Sequence, residues 1–330
     1  MVMDFLIGTL THAGGPGIGR VRLEDGRLRL LWTDGALTDP NWLCSGPDGR
    51  IFSVSSDADA PMSGCVNELR VTQTGMELVS RQPTSGVEPC FLEVSPDGRL
   101  LLCANYGTGS LAVFPLTETG IGPMLQLVRH HGAGPHPTRQ TGPHLHQVVA
   151  LPMLPGCYCA VDLGLDALVV YRQDARGLLT ERYRIPVPAG QGPRHVACTR
   201  AGDAYLITEL GNRVYPVRFG PDGGSVLAPG VSTLSDEATP GFAAALWPSA
   251  DQRCLYASNR GEGTIVRLAL PSLRREASHA LMGSAPRDFC VVDEHRLLAA
   301  CQDAGLTLLQ DGVIADTLRF PGAVRVMRLP

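Results

Sequence analysis

Lysine is absent from this chain: all 28 basic residues among its 330 are arginine. That excludes an imine-forming lysine and the lysine of a Walker-type phosphate loop, so an anion must be met by arginine, histidine or backbone N–H groups. No apolar run approaches the roughly 20 residues of a membrane-spanning helix. The opening MVMDFLIGTLTHAGG has no basic stretch ahead of its brief apolar one, so a secretory signal is not expected. Formal net charge is −4, without a block of either sign. Neither nucleic acid nor an anionic membrane is therefore an expected partner. None of the ten cysteines forms a CxxC pair, and most sit in apolar runs such as LLLCAN and GCYCAV. They read as buried free thiols of a cytoplasmic protein, not as a disulfide framework. Helical spacing of apolar residues over three turns is also missing, and 38 glycines and 26 prolines disfavour long helices.

What the chain has instead is a repeat. Its clearest copy is EPCFLEVSPDGRLLLCANYGTGSLAVFPL, residues 88–116. This reads as strand, PDGR turn, strand, glycine-bearing turn and strand. Related copies cover 144–172, 193–219, 242–270 and 286–310, with a weaker one at 41–56. The residues that close the second strand of each unit are Thr9, Ser56, Asn105, Asp162, Glu209, Asn259 and Gln302, with successive gaps of 47, 49, 57, 47, 50 and 43. A period of roughly 40–50 residues with four short strands per unit indicates a β-propeller. The expected fold is all-β: a seven-bladed propeller with four antiparallel strands per blade, in one domain over residues 1–330. The chain opens on a second-strand motif and ends in PGAVRVMRLP, a first-strand motif. One blade should then combine the C-terminal strand with N-terminal strands and close the ring.

If the strands of a blade run A to D outward from the axis, the start of A and the end of B lie at the same end. The A openings TGPHLHQ, QGPRH and APRDF and the B–C turns NYGTG, ELGN, SNRGEG and CQDAG are unusually polar. This brings His144, His146, Arg194, His195, Arg287, Asn105, Tyr106, Glu209, Asn259, Arg260 and Gln302 to one mouth. His144 and His146, two apart at a strand start, are expected on one face. His130, His131 and His136 fall in the preceding Gly/Pro-rich connection and read as loop or rim. An HxH pair with Glu209 has the donors of a zinc site, but two arginines at the same mouth repel a dication. No metal and no cofactor is expected. Asn105, Asn259 and Gln302 also suit local capping of the B–C turns.

These motifs resemble the seven-bladed propeller lactonases, which include propeller-type 6-phosphogluconolactonases and fungal carboxymuconate-lactonizing enzymes. The resemblance rests on PCFLEVSPDGRLLLCANYGTGSLAVF, GPHLHQ, GQGPRH followed by TEL, LYASNRG, and PRDF followed by CQD. They lie in the family's order from Glu88 to Asp303. It implies catalytic roles for His146, Arg194, Glu209 and Arg260. The 41–56 unit is short, and the stretch 57–64, DADAPMSG, reads as an ordinary loop, a departure from the pattern.

Lactone hydrolysis needs a base for the attacking water and positive charge at the developing oxyanion. His146 suits proton transfer, and Glu209, kept ionised by a neighbouring arginine, suits positioning. Arg194 or Arg260 would meet the oxyanion. The other, with Arg287, would hold a phosphate or carboxylate. His144, Asn105, Arg287 and Gln302 are the expected substrate contacts. The function expected is hydrolysis of a sugar-acid lactone, 6-phosphogluconolactone first, by a monomer acting on a small anionic lactone or carboxylate. Two alternatives share the scaffold: a carboxymuconate cycloisomerase and a non-catalytic binding propeller.

Overall fold

Short β-branched and leucine-rich runs alternate with Asp-Gly and Gly turns, and the chain answers with seven four-stranded antiparallel blades. The computed structural model describes residues 2–57 and 63–329. The tip of the 57–64 loop lies outside the described residues. The first six blades begin with strands Leu43–Ser45, Pro89–Val94, Leu145–Ala150, Pro193–Cys198, Phe242–Pro248 and Pro286–Val291. Second strands such as Leu100–Asn105 and Cys157–Asp162 are buried at every residue. A blade packs against a neighbour on each face, so its inner strands are apolar without alternation. Outer strands such as Arg275–Ala280 alternate between exposed and half-buried residues, as a strand with one wet face must.

The seventh blade closes the ring as expected. Its innermost strand is Ala323–Arg328, followed outward by Met3–Thr9, Ile18–Glu24 and Arg27–Asp34. Phe5 pairs with Arg328 and Ile7 with Val326. Pairing the two ends of the chain removes the open edges a linear array would carry.

The axial channel is filled below its mouth. Arg325 of the C-terminal strand stacks its guanidinium on Trp42 at 3.9 Å, pairs with Asp288 at 2.8 Å and donates from Nε to the Leu43 carbonyl at 3.0 Å. Trp247 Nε1 donates to the other oxygen of Asp288 at 2.9 Å. Trp42 stacks on Phe91 at 4.1 Å, and His195 meets both rings edge-on. One guanidinium thus ties the closing blade to both of its neighbours. Replacing Arg325 by Met leaves Asp288 as an unpaired buried charge. The expected loss is about 3–5 kcal/mol of unfolding free energy. Urea unfolding checks this, with Asp288→Asn in the Arg325→Met background recovering part of the loss.

Candidate active site

Two positions that recur in five of the seven blades build much of the mouth, and both follow from strand pairing. The first is a bulge near the start of the inner strand. Pro89 and Phe91 pair with consecutive residues of the second strand, leaving Cys90 over. The same step leaves over His146, Arg194, Arg287 and Val324. A bulge re-aims one side chain and sharpens the local twist. The second position is the residue after the partner of the inner strand's first residue. Its N–H closes the corner on the carbonyl that precedes the inner strand: Leu10 to Gly322, Tyr106 to Glu88, Leu163 to His144, Glu209 to Gly192 and Gln302 to Ala285. Arg260, which pairs with Phe242, is the matching residue of its blade.

This register corrects part of the sequence reading. The equivalents of Glu209 and Gln302 are Tyr106 and Arg260, not Asn105 and Asn259. Successive strand residues face opposite ways, so the one-residue slip decides which reaches the mouth. Asn105 is fully buried and donates to Ser110 Oγ at 3.2 Å. Asn259 likewise donates to the Thr233 carbonyl and to Thr264 Oγ1. Both hold turns and are not placed as substrate contacts. His144 precedes the strand and stacks on the Tyr106 ring at 4.5 Å, and His146 meets the same ring edge-on at 5.6 Å. Gln302 supports a site residue instead of lining the cavity: its Oε1 accepts from Arg287 Nε at 2.6 Å. His130, read as loop or rim, is buried between Asp162 at 2.7 Å and the Tyr171 hydroxyl at 2.8 Å.

The cavity at the mouth encloses about 570 Å³ and is lined by His146, Arg194, Glu209, Arg260 and Arg287, among others. A larger groove of about 970 Å³ lies between the closing blade and the next, where Arg20 and Arg22 both pair with a partly exposed Asp4. At the mouth the shared carboxylate is buried. Glu209, with 3% side-chain exposure, meets three guanidiniums: Arg139 at 2.5 Å on Oε1, and Arg194 at 3.0 Å and Arg260 at 2.7 Å on Oε2. Burial alone would raise its carboxyl, but Arg260, Arg194 and Arg139 override burial and hold it at about 2. Burial and repulsion from Arg260 draw Arg194 down to about 10. The same two causes act on Arg287, also drawn to about 10. Its blade offers a neutral glutamine where that of Arg194 offers a carboxylate. Three guanidiniums therefore share Glu209, and the fourth, Arg287, is held by a neutral amide.

His146 stands among these cations. Burial first, then Arg194, holds its imidazole well below the usual histidine range, so it is neutral near pH 7. Its Nδ1 is buried without a protein partner. Arg260 Nε and Trp42 Nε1 are likewise unpartnered, and all three residues line this cavity. Buried polar atoms are otherwise almost always paired, so the cavity is built for a polar occupant. A neutral imidazole beside fixed guanidiniums can take a proton from water while charge collects on a carbonyl oxygen.

Arg139 and Phe242 were missed from sequence. Arg139 reaches Glu209 across 70 positions and also donates to the Tyr106 hydroxyl at 3.2 Å. The Phe242 ring packs against the guanidiniums of Arg139 and Arg260 at 5.5 and 5.6 Å. The one available signal was the 57-residue gap before Asp162, which flags an enlarged connection carrying Arg139.

Comparison with known proteins agrees with this geometry. A family model described as the seven-bladed β-propeller lactonase matches residues 4–309. The 6-phosphogluconolactonase of Bacillus subtilis is 29% identical over 92% of this chain and 89% of its own length. A crystal structure of a protein described as a putative 6-phosphogluconolactonase, from Bacteroides fragilis, superposes with a TM-score of 0.88 at 26% identity, covering 100% of this chain and 98% of that one. The periplasmic gluconolactonase of Pseudomonas aeruginosa superposes with a TM-score of 0.90 at 27% identity, covering 100% and 99%. With a circular seven-bladed fold, a cationic mouth built from bulges and corners, and a family match over nearly all its length, this chain belongs to the seven-bladed β-propeller lactonase family.

Proposed function

We propose that this protein hydrolyses 6-phosphogluconolactone to 6-phosphogluconate. The observation that carries the reading is a neutral imidazole with an unpartnered nitrogen, in a cavity lined by four guanidiniums of which three share one buried carboxylate. A developing oxyanion and an anionic substrate suit those donors, and a phosphorylated sugar lactone supplies both.

In the proposed reaction a water attacks the lactone carbonyl carbon and His146 takes its proton. The carbonyl oxygen becomes an oxyanion facing Arg194 and Arg260, whose positions Glu209 fixes by ion pairs. Preorganised donors of this kind contribute about 3 kcal/mol each to such transition states. The bond from carbonyl carbon to ring oxygen then breaks, and the imidazolium returns its proton to the leaving oxygen. The cationic surroundings disfavour the imidazolium, which promotes this second transfer. The carboxylic acid so formed releases its proton to solvent, and the carboxylate is left against Arg194, Arg260 and Arg287. Glu209, held at about 2 by three guanidiniums, is a positioning anion and a poor proton acceptor. All these groups come from one chain, which supports activity as a monomer.

A pH-stat assay tests the reading directly: acid release from 6-phosphogluconolactone should exceed the spontaneous rate severalfold or more. No excess would refute it. His146→Ala should lower kcat about 10²–10⁴-fold, the range of a lost general base. The acid limb of kcat/KM should lie well below 6.5, because protonation of His146 stops the reaction and its folded-state value is depressed. A limb centred near the ordinary imidazole range would assign the titrating base elsewhere.

Glu209→Gln should destabilise the fold by about 3–5 kcal/mol at pH 7, since Arg194 and Arg260 lose their buried counter-charge. The wild-type carboxyl is depressed to about 2, so its stabilisation is full above the unfolded value near 4.3 and fades as pH falls through the folded one. Urea unfolding between pH 3 and 7 should therefore show a steeper acid loss in the wild type than in Glu209→Gln.

A further inference from the structure

Arg139 differs from the other guanidiniums of the mouth in where it is mounted and in what it leaves free. It lies in the enlarged connection between strands Gln126–Arg129 and Leu145–Ala150. That connection is pinned next to it. Gln140 is fully buried, its Nε2 donates to the Leu163 carbonyl at 2.8 Å, and its Oε1 accepts from the His136 N–H at 3.0 Å. His136 Nδ1 accepts from the Arg139 N–H at 3.2 Å. The backbone is therefore fixed while the side chain extends over the cavity. It is 31% exposed, against 15% for Arg260 and 6% for Arg194, so it stands at the entrance.

Both of its hydrogen bonds leave from Nη2, to Glu209 and to the Tyr106 hydroxyl, so Nε and Nη1 have no protein acceptor. Arg139 meets only Oε1 of Glu209, and Oε2 keeps Arg194 and Arg260 when Arg139 is replaced. Phe242, itself exposed, packs against the guanidinium and helps hold its orientation. An oriented guanidinium with its Nε–H and Nη1–H donors free is a charge-assisted hydrogen-bond donor to a phosphate or carboxylate.

We propose that Arg139 binds the phosphate at the far end of the lactone and sets the preference for phosphorylated over unphosphorylated sugar lactones. This rests on the lactonase reading and adds to it the residue that reads the second anion. The two substrates named for the relatives, a phosphogluconolactone and a gluconolactone, differ in that phosphate alone.

The test compares wild type, Arg139→Gln and Arg139→Lys with 6-phosphogluconolactone and gluconolactone. In Arg139→Gln the ratio of kcat/KM for the phosphorylated over the neutral lactone should fall roughly ten- to a hundredfold, mainly through KM, the loss expected for a charge-assisted hydrogen bond. Arg139→Lys, which keeps the charge and loses the planar donor arrangement, should fall between. Equal losses on both substrates would show that Arg139 acts only through Glu209, and an unchanged ratio would show that the phosphate lies elsewhere; either overturns the proposal. Calorimetric titration with 6-phosphogluconate and gluconate separates this from the reaction itself. If neither lactone is turned over, the hydrolase reading fails. A wild-type preference for 6-phosphogluconate that Arg139→Gln abolishes still supports the anion site, and no preference overturns it. Urea midpoints of the variants, expected to match the wild type, guard against misfolding.

Discussion

The mouth of this propeller depends on one buried carboxylate. Arg194 and Arg260 are taken largely out of water, and without Glu209 their desolvation and mutual repulsion would open the site. Glu209 holds three guanidiniums and leaves Arg287 to the neutral amide of Gln302. Burial first, then the Arg194 guanidinium, holds His146 well below the usual histidine range, so the packing that buries the arginines also fixes the charge of the imidazole.

The scaffold makes this arrangement possible by repetition. Each inner strand can carry a bulge, and each second strand turns a corner closed by a backbone hydrogen bond. Neither device needs a particular side chain, so the two positions per blade are free to vary. Blades that put Val324 and Leu10 there contribute apolar wall, and those with His146, Arg194 with Glu209, or Arg260 contribute chemistry. Beneath them, Arg325, Asp288, Trp42 and Phe91 fill the channel and close the ring. The site therefore sits on a packed floor, and its side chains are held by the strands that make the hub.

Much of this was legible before any coordinates. A spacing near 47 residues and a first-strand motif at the C-terminus were enough for seven blades and a mixed closing blade. Polar strand openings together with the B–C turns were enough to gather His146, Arg194, Glu209, Arg260 and Arg287. The misreadings were local. Asn105 was aligned with Glu209, and the true counterpart, Tyr106, is its neighbour. His130 was read as rim, yet it is enclosed by Asp162 and Tyr171. Arg139 was hidden because a loop has no periodicity from which to read direction.

By itself the sequence determined the repeat, the ring and the identity of the side chains that gather at one end, because strand count and order follow from turns and apolar runs written along the chain. Only the tertiary structure decided which of two adjacent residues faces the cavity, that three guanidiniums share one carboxylate, and that the imidazole among them is neutral. Direction in a strand inverts with every residue and shifts again at a bulge, and the charge a group carries depends on neighbours from other blades and on how much water they displace.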